Sequence, residues 1–245
     1  MRRMMGLAAV AAAVLAGVAV AQEAKGYLAA GAFDPMVVVG PPPAAGSAAE
    51  AADKAAYQDA LKGVDTPRWR EALADDPLSP ADTLKRYACA LDAQVDPARA
   101  PATVRLLQRT LVDADAFSSP VKKAINRPRP FAADTSPVCL PIPADRRART
   151  SSTYPSGHAT AGTLYGLVLS EVRPERTTQI LARSRSFVES RQVCRVHYPS
   201  DLQAGERLGA AIFARLQGEP EYEADVKAAR AEIAAAPRPE GCPAS

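Results

Sequence analysis

Helix-start signals recur along this chain, whereas the apolar–polar alternation typical of strands is nearly absent. A proline follows a helix-capping residue at Thr66-Pro67, Ser79-Pro80 and Ser119-Pro120, and proline at the first helical position loses no needed hydrogen bond. Alanine is abundant and aromatic residues make up 5% of the chain, as in helices that pack closely through small side chains. We therefore expect an all-α fold, a single-domain helical bundle over residues 47–245.

The first helix begins with a capping box of Ser47 and Glu50. The other predicted bounds follow from proline positions and apolar periodicity. The sequence predicts helices from Ser47 to about Leu61, after Pro67, from Pro80 to about Ala93, from Pro101, from Pro120 to near Pro128, over Gly157–Val172, Pro174–Arg195, Ser200–Leu216 and Glu221–Ala235, with a long loop from Phe131 to about Pro155.

Residues 1–21 have the pattern of a secretory signal peptide. Two arginines precede an apolar run from Leu7 to Val18, which is too short to span a bilayer, and Ala19-Val20-Ala21 is a small-x-small cleavage site. An uncleaved membrane anchor is the alternative. Residues 22–46 contain three consecutive prolines and are expected to be extended and to wrap the outside of the domain.

The net charge of +3 is too small to indicate a basic nucleic-acid-binding surface. Cleavage of the signal peptide would lower the charge further by removing two arginines. No later stretch approaches the roughly 20 apolar residues of a transmembrane helix. We expect the mature protein to be soluble, periplasmic or secreted, and free of the membrane.

Four cysteines, an even number, favour disulfides in an oxidising compartment. No two of them form a CxxC pair, which argues against a zinc knuckle or a thioredoxin-type site. Three pairings are possible, and the preferred one joins Cys89 to Cys139 and Cys194 to Cys242.

Lys122 and Arg129 form the first of three polar clusters. They lie seven residues apart, so a helix reaching Pro128 would place both on one face. Two cations on one face repel unless an anion lies between them, although a solvated basic patch is the simpler alternative. Lys123 and Arg127 do not share this spacing and are interpreted as solvated charges.

The second cluster runs from Tyr154 to His158 at the start of a predicted helix. The unpaired N–H groups of a first helical turn favour an anion. Gly157 permits close approach of the backbone, Ser156 adds a hydroxyl donor, and His158 can exchange a proton at moderate pH. An ordinary helix cap with an incidental histidine is the alternative.

The third cluster spans Ser190 to Asp201. Helical periodicity places Arg191 on an inward face, where a guanidinium is costly unless it meets an anion. His197 falls in a short connection, and Asp201, one turn later, could accept its ring N–H. Ser200 is expected to cap the next helix, beginning near Asp201. The alternative is a surface histidine beside a capping serine.

Together the clusters offer three cations, two neutral donors and both histidines of the chain, which suits a tetrahedral or trigonal-bipyramidal oxyanion. Phosphoryl transfer depends mainly on positioning and charge stabilisation, so this set predicts phosphoryl chemistry. No carboxylate grouping resembles a two-metal site, and we expect no metal and no cofactor. The residues alone leave open which histidine attacks.

The order and spacing of the clusters, Lys-x6-Arg-Pro, Pro-Ser-Gly-His and Ser-Arg-x5-His-x3-Asp, resemble the signature of the type 2 phosphatidic-acid phosphatase superfamily, which includes vanadium haloperoxidases. With Phe131 after Pro130, Tyr154 before Pro155 and Glu189 before Ser190, the chain is similar to the class A bacterial non-specific acid phosphatases. The matching motifs cover residues 122–201.

The resemblance implies an acid phosphatase/vanadium-dependent haloperoxidase fold and hydrolysis of small phosphate monoesters through a phosphohistidine. By matching position, His197 is the nucleophile, Asp201 orients it, and His158 protonates the leaving alcohol and later activates water. The equatorial oxygens would be bound by Lys122, Arg129, Ser156, Gly157 and Arg191. An acid optimum is expected, because His158 must be protonated while His197 is neutral. Such helical phosphatases are often homo-oligomers.

The chain departs from the family pattern at Ser152-Thr153, Tyr198 and Pro199, positions expected at the pocket rim, where they would affect substrate preference. The alternative functions are a vanadate-dependent haloperoxidase, a soluble lipid-phosphate phosphatase and a non-catalytic phosphate-binding protein.

Overall fold

In the computed structural model, residues 25–143 and 150–242 are described, and they contain helices and no strand. The predicted signal peptide lies outside these residues. Within them the α-helices are α1 (Pro35–Val39), α2 (Ala48–Asp59), α3 (Pro67–Ala74), α4 (Pro80–Leu91), α5 (Pro101–Ile125), α6 (Gly157–Val172), α7 (Thr177–Val193), α8 (Pro199–Leu216) and α9 (Pro220–Ala235). The all-α prediction is confirmed.

Helix α6 is the centre of the bundle, with α5, α7, α8 and α9 packed around it. The most extensive contact of α6 is with α8, where two glycines of α8 leave no room for a side chain. A Cβ on Gly205 would lie 2.5 Å from the Ser156 carbonyl oxygen, and one on Gly209 would lie 2.6 Å from that of Thr160. The glycines therefore allow the start of α8 to lie directly against the start of α6.

Helix α5 corrects one prediction, because Pro101 and Pro120 were expected to start separate helices. The structure has one helix of 25 residues with Pro120 inside it. An internal proline removes a hydrogen bond and costs roughly 3 kcal/mol. Phe117 and Val121 are buried on either side of Pro120, and apolar burial of about 1.5–3 kcal/mol per large side chain offsets that cost.

The segment before α2 is not wholly extended, since it contains the short helix α1. The backbone N–H groups of Tyr27 and Leu28 donate to the buried carboxylate of Asp113. The Tyr154 hydroxyl donates to the Val39 carbonyl oxygen at 3.1 Å. The segment is thus hydrogen-bonded to the bundle and reaches the residue that precedes Pro155.

Helix α8 begins earlier than predicted, at Pro199. Ser200 does not cap it: its hydroxyl donates to Asp53 of α2. The Asp201 carboxylate instead accepts the N–H of Tyr198, the N-cap residue, at 2.8 Å. Helix α7, in contrast, begins later than predicted, at Thr177, because residues Pro174–Arg176 form a 3₁₀ turn before it.

Both disulfides differ from the preferred pairing. Cys89 bonds to Cys242 and Cys139 bonds to Cys194. The chain after α9 returns to the end of α4, where Gln94 N–H donates to the Pro237 carbonyl oxygen at 2.7 Å. Proximity in the fold, not order along the chain, decides these pairs. None of the described helices is both long and apolar enough to cross a bilayer.

Candidate active site

The three predicted clusters meet where the end of α5, the start of α6 and the α7–α8 connection converge. The Ser156 N–H donates to the Asp201 carbonyl oxygen at 2.9 Å, which joins the second cluster to the third. The Lys122 ammonium donates to the Ser152 carbonyl oxygen at 3.1 Å and to that of Pro155, which joins the first cluster to the second. Hydrogen bonds to main-chain carbonyl oxygens therefore hold the clusters at one place.

Lys122 and Arg129 come together differently from the prediction, because α5 does not reach Pro128. The helix ends at Ile125, and Asn126 takes the left-handed conformation with φ 47°, a common helix C-terminus. The chain then turns back, so Arg129 reaches the site from outside the helix. Burial, followed by the charge of Arg129, lowers the pKa of Lys122 to about 8.

The Arg129 guanidinium contacts the third cluster directly. Its Nη1 donates to His197 Nε2 at 2.8 Å and to the Val196 carbonyl oxygen at 3.0 Å, and its Nε donates to the Ser151 carbonyl oxygen at 3.1 Å. Burial and the charge of Arg191 lower the pKa of Arg129 to about 10. Cations close enough for one to lower the pKa of the next are suited to a polyanionic ligand.

The start of α6 supplies neutral donors beside Lys122. Ser156 is buried and is the N-cap of the helix, its Oγ accepting the Ala159 N–H at 3.2 Å while its own hydrogen remains a donor. A Cβ on Gly157 would lie 3.6 Å from Lys122 Cε, so the glycine backbone adjoins the lysine side chain. This first turn presents its unpaired N–H groups and a cation on the same side.

His158 follows on the more exposed side of the site, its side chain 24% exposed. Its Nε2 is 2.8 Å from the Asp76 carbonyl oxygen, an acceptor, so Nε2 carries the hydrogen and Nδ1 is available to a ligand. Burial, and then the charge of Arg191, lower the pKa of His158 well below its ordinary value.

Arg191 is 2% exposed, and its Nη2 pairs with Asp76 Oδ1 at 2.9 Å. Its Nε and Nη1 are buried and have no hydrogen-bond partner among the described residues. Unsatisfied buried guanidinium donors are costly, which points to an anion as their ligand. Sequence reasoning missed Asp76; only its position before Pro77 at the end of an expected helix was visible.

His197 is buried, and its Nδ1 is 3.5 Å from Asp201 Oδ2. The Thr153 hydroxyl lies between them, 2.9 Å from Nδ1 and 2.7 Å from Oδ2. Thr153 was expected at the pocket rim, and this expectation is wrong: the residue is fully buried behind the histidine. Burial, then Arg129 and Lys122, lower the pKa of His197 well below its ordinary value.

Arg127 is not a solvated charge. Its Nη1 donates to Asp201 Oδ1 at 2.7 Å and its Nη2 donates to Asp53 Oδ2 at 2.9 Å. Burial raises the pKa of Asp201, and the charge of Arg127, the Thr153 hydroxyl and the Tyr198 N–H oppose that rise. The sequence held no signal for this role, because Asp53 lies on a distant helix. Lys123 is exposed, as predicted.

The arrangement brings two imidazoles of lowered pKa, three cations and a capped helix N-terminus together where α5, α6 and the α7–α8 connection converge. Such a set can bind a phosphoryl group and provide a nucleophile and a proton donor on different imidazoles. Among residues 25–143 and 150–242, no three His, Cys, Asp or Glu side chains are grouped to hold a metal ion.

Comparison with known proteins places the chain in a family. Residues 105–217 match the PAP2 superfamily. An acid phosphatase of Zymomonas mobilis is 34% identical over 200 residues, which are 82% of this chain and 75% of that protein. A non-specific acid phosphatase of Salmonella typhimurium is 35% identical over 196 residues, 79% of this chain and 77% of that protein.

A solved structure supports the same assignment at the level of the fold. It is the first transmembrane PAP2 type phosphatidylglycerolphosphate phosphatase from Bacillus subtilis, at a TM-score of 0.52 and 17% identity, covering 75% of this chain and 90% of that one. From the motifs, the fold and the relatives, the chain belongs to the PAP2 superfamily, within the class A non-specific acid phosphatases.

Proposed function

We propose that this protein is an exported, metal-independent acid phosphatase that hydrolyses phosphate monoesters through a phosphohistidine at His197. The observation that carries the proposal is geometric: Arg129 donates to His197 Nε2 at 2.8 Å, and Arg191, which has two buried donors without a partner among the described residues, shares Asp76 with His158. An anion bound by these cations would therefore lie between an attacking imidazole and a proton-donating one.

In the first step the lone pair of His197 Nε2 forms a bond to phosphorus as the bond from phosphorus to the alcohol oxygen breaks. That oxygen takes a proton from Nδ1 of His158, the ring nitrogen that is not bonded to Asp76. The Arg129 hydrogen bond to Nε2 is replaced by one to a phosphoryl oxygen. In the second step water attacks phosphorus, His158 accepts its proton, and the electron pair returns to Nε2.

Both pKa values are lowered in the free site, which leaves His197 neutral for attack. His158 must be protonated, and a bound phosphate dianion supplies the negative charge that opposes Arg191 and raises its pKa. Catalysis below neutral pH follows from these two requirements.

The exposed fractions of the side chains in the site support broad specificity for the leaving alcohol. His197, Ser156 and Arg191 are nearly inaccessible, whereas His158 is 24% exposed and Asp76 is 40% exposed. The phosphate would be bound in the interior and the alcohol would extend past His158 towards solvent. Few contacts then discriminate between alcohols.

Export is supported by the predicted signal peptide and by two disulfides, which persist in oxidising compartments. N-terminal sequencing of the mature protein recovered from the producing cells should show cleavage before Gln22.

The decisive test is hydrolysis of a chromogenic phosphate ester in EDTA. Wild-type protein should turn over, His197→Ala should not, and wild type quenched in alkaline denaturant should carry an acid-labile, alkali-stable phosphate on His197. Lys123→Ala, which changes an exposed charge beside Lys122, is the matched control and should behave as wild type. Activity retained by His197→Ala, or abolished by EDTA, would refute the mechanism.

A further inference from the structure

The side chain of Thr153 bridges the two groups that the superfamily resemblance pairs directly. Its Oγ1 is 2.9 Å from His197 Nδ1 and 2.7 Å from Asp201 Oδ2, whereas the direct separation of those two atoms is 3.5 Å. At 3.5 Å a ring N–H to carboxylate contact is at the limit of a hydrogen bond.

The direction of these hydrogen bonds is determined by counting hydrogens. A threonine hydroxyl has one hydrogen, and the ionised carboxylate of Asp201 can only accept, so that hydrogen points to Oδ2. Towards His197 the hydroxyl oxygen must then accept, which places the ring hydrogen on Nδ1. Nε2 is left with its lone pair, consistent with the Arg129 N–H that donates to it at 2.8 Å.

The bridge is held rigidly on both sides. Thr153 is fully buried, and its backbone N–H donates to the Arg127 carbonyl oxygen at 2.9 Å. The Asp201 carboxylate also accepts from Arg127 and from the Tyr198 N–H. Because threonine is β-branched, few rotamers are open to it. The hydroxyl oxygen is therefore fixed where the His197 ring needs an acceptor.

We propose that Thr153 is a positioning residue that carries the interaction between Asp201 and His197, setting the Nδ1–H tautomer and stabilising the ring when it becomes cationic. The inference rests on the proposed phosphohistidine mechanism. When Nε2 bonds to phosphorus the ring keeps its Nδ1 hydrogen and gains a positive charge. That hydrogen bonds to the Thr153 oxygen, whose own hydrogen remains on Oδ2, so no proton crosses the bridge.

The test compares Thr153→Val, which preserves shape and removes the hydroxyl, with Thr153→Ser, which keeps it. Loss of a group that orients a metal-bound histidine typically costs about 10- to 100-fold in activity, and we take the same range for the histidine oriented by Thr153. We expect kcat to fall by about that factor in Thr153→Val and to recover to within about threefold of wild type in Thr153→Ser. Thr110→Val, which removes another fully buried threonine hydroxyl, far along α5, is the matched control and should keep wild-type kcat.

A spectroscopic readout separates positioning from general damage. The chain has two histidines, so ¹⁵N-histidine labelling gives signals from His158 and His197 alone. Wild-type protein should show His197 as the Nδ1–H tautomer, and Thr153→Val should show a mixture of tautomers. This measurement on wild type needs no variant, so an Nε2–H tautomer of His197 would overturn the inference even if Thr153→Val fails to fold.

Two results would overturn the inference: a wild-type His197 in the Nε2–H tautomer, or a folded Thr153→Val protein with wild-type kcat and tautomer. In either case phosphate trapped on His197 would leave the proposed function standing. If wild type traps no phosphate on His197, the proposed function itself fails, whatever the tautomer.

Discussion

The guanidinium of Arg127 donates to Oδ1 of Asp201 at 2.7 Å, and the same group reaches Asp53 on α2 at 2.9 Å. The two carboxylates are almost completely buried, with the Asp201 side chain 0% exposed and that of Asp53 4% exposed. One arginine thus neutralises an aspartate of the site and joins it to the first long helix. The position of Asp201 depends on a residue outside the three sequence clusters.

Arg127→Met should therefore destabilise the protein and change its pH profile. Breaking a buried ion pair by removing one partner typically costs about 3–5 kcal/mol. Without Arg127 the pKa of Asp201 rises, so the acid limb of kcat should move to higher pH. Urea unfolding and a pH series measure the two effects. Lys123→Met is the control, and equal behaviour of the two variants would contradict this role.

For His158→Ala, the loss of activity should depend on the leaving group. A proton donor typically contributes about 10²–10⁴-fold, and an alkyl phosphate needs that proton more than a nitrophenyl phosphate does. Measuring kcat/KM over leaving alcohols of increasing pKa should give a steeper dependence than in wild type. Equal slopes of log(kcat/KM) against leaving-group pKa in the two proteins would rule out His158 as the acid.

Asp76→Asn should strengthen binding of inorganic phosphate. Asp76 Oδ1 accepts from Arg191 Nη2 at 2.9 Å, so it competes with a ligand for that guanidinium. Since Asp76 is 40% exposed, such a pair is worth about 0–1 kcal/mol, and the inhibition constant should fall by up to about fivefold. Asp59→Asn, at a surface pair, is the control. A weaker phosphate affinity in Asp76→Asn would show that the carboxylate assists binding.

Stability should fall as the pH is lowered from about 6.5, the unfolded-state pKa of histidine. Burial and nearby cations lower the pKa of both histidines in the folded protein, so below that pH the unfolded state binds more protons. Two such groups give a slope of up to about 2.7 kcal/mol per pH unit. Urea unfolding between pH 5 and pH 7 measures it.

Inorganic phosphate should reduce this slope, because its charge favours protonated histidine and its binding stabilises the folded state. The double variant His158→Ala, His197→Ala should lose the histidine part of the slope while keeping that of carboxylates whose pKa is lowered in the fold, such as Asp225. An unchanged slope in the double variant would show that other groups cause the acid instability.

The two disulfides should differ in their effect on activity. They join residues 55 and 153 positions apart, for which loop-closure entropy gives roughly 4 and 5 kcal/mol of stability. Cys139→Ser with Cys194→Ser releases the chain three residues before His197, so activity should fall along with stability. Cys89→Ser with Cys242→Ser should lower the unfolding midpoint and leave kcat near wild type. A larger fall in kcat in the Cys89→Ser, Cys242→Ser variant than in the Cys139→Ser, Cys194→Ser variant would contradict this prediction.

Local chemistry made much of this protein predictable. Proline after serine or threonine, and the capping box at Ser47, set helix starts that the structure keeps at α2, α3 and α4. The inward placement of Arg191 followed from helical periodicity. These features depend on interactions between residues a few positions apart, and such interactions can be predicted from the spacing of residues in the sequence.

Three results required the tertiary structure. The fold kept Pro120 inside α5 because packing on both sides of it outweighs one lost hydrogen bond. It paired Cys89 with Cys242 because α9 returns the chain to α4. It also placed Thr153 and Arg127 around Asp201, through contacts across 48 and 74 positions.

The sequence by itself therefore determined several helix starts, the family and the candidate phosphate-binding groups. Only the tertiary structure decided which side chains orient those groups. Hydrogen bonds such as Thr153 to Asp201 join residues distant in the chain, and their geometry exists only after the helices have packed.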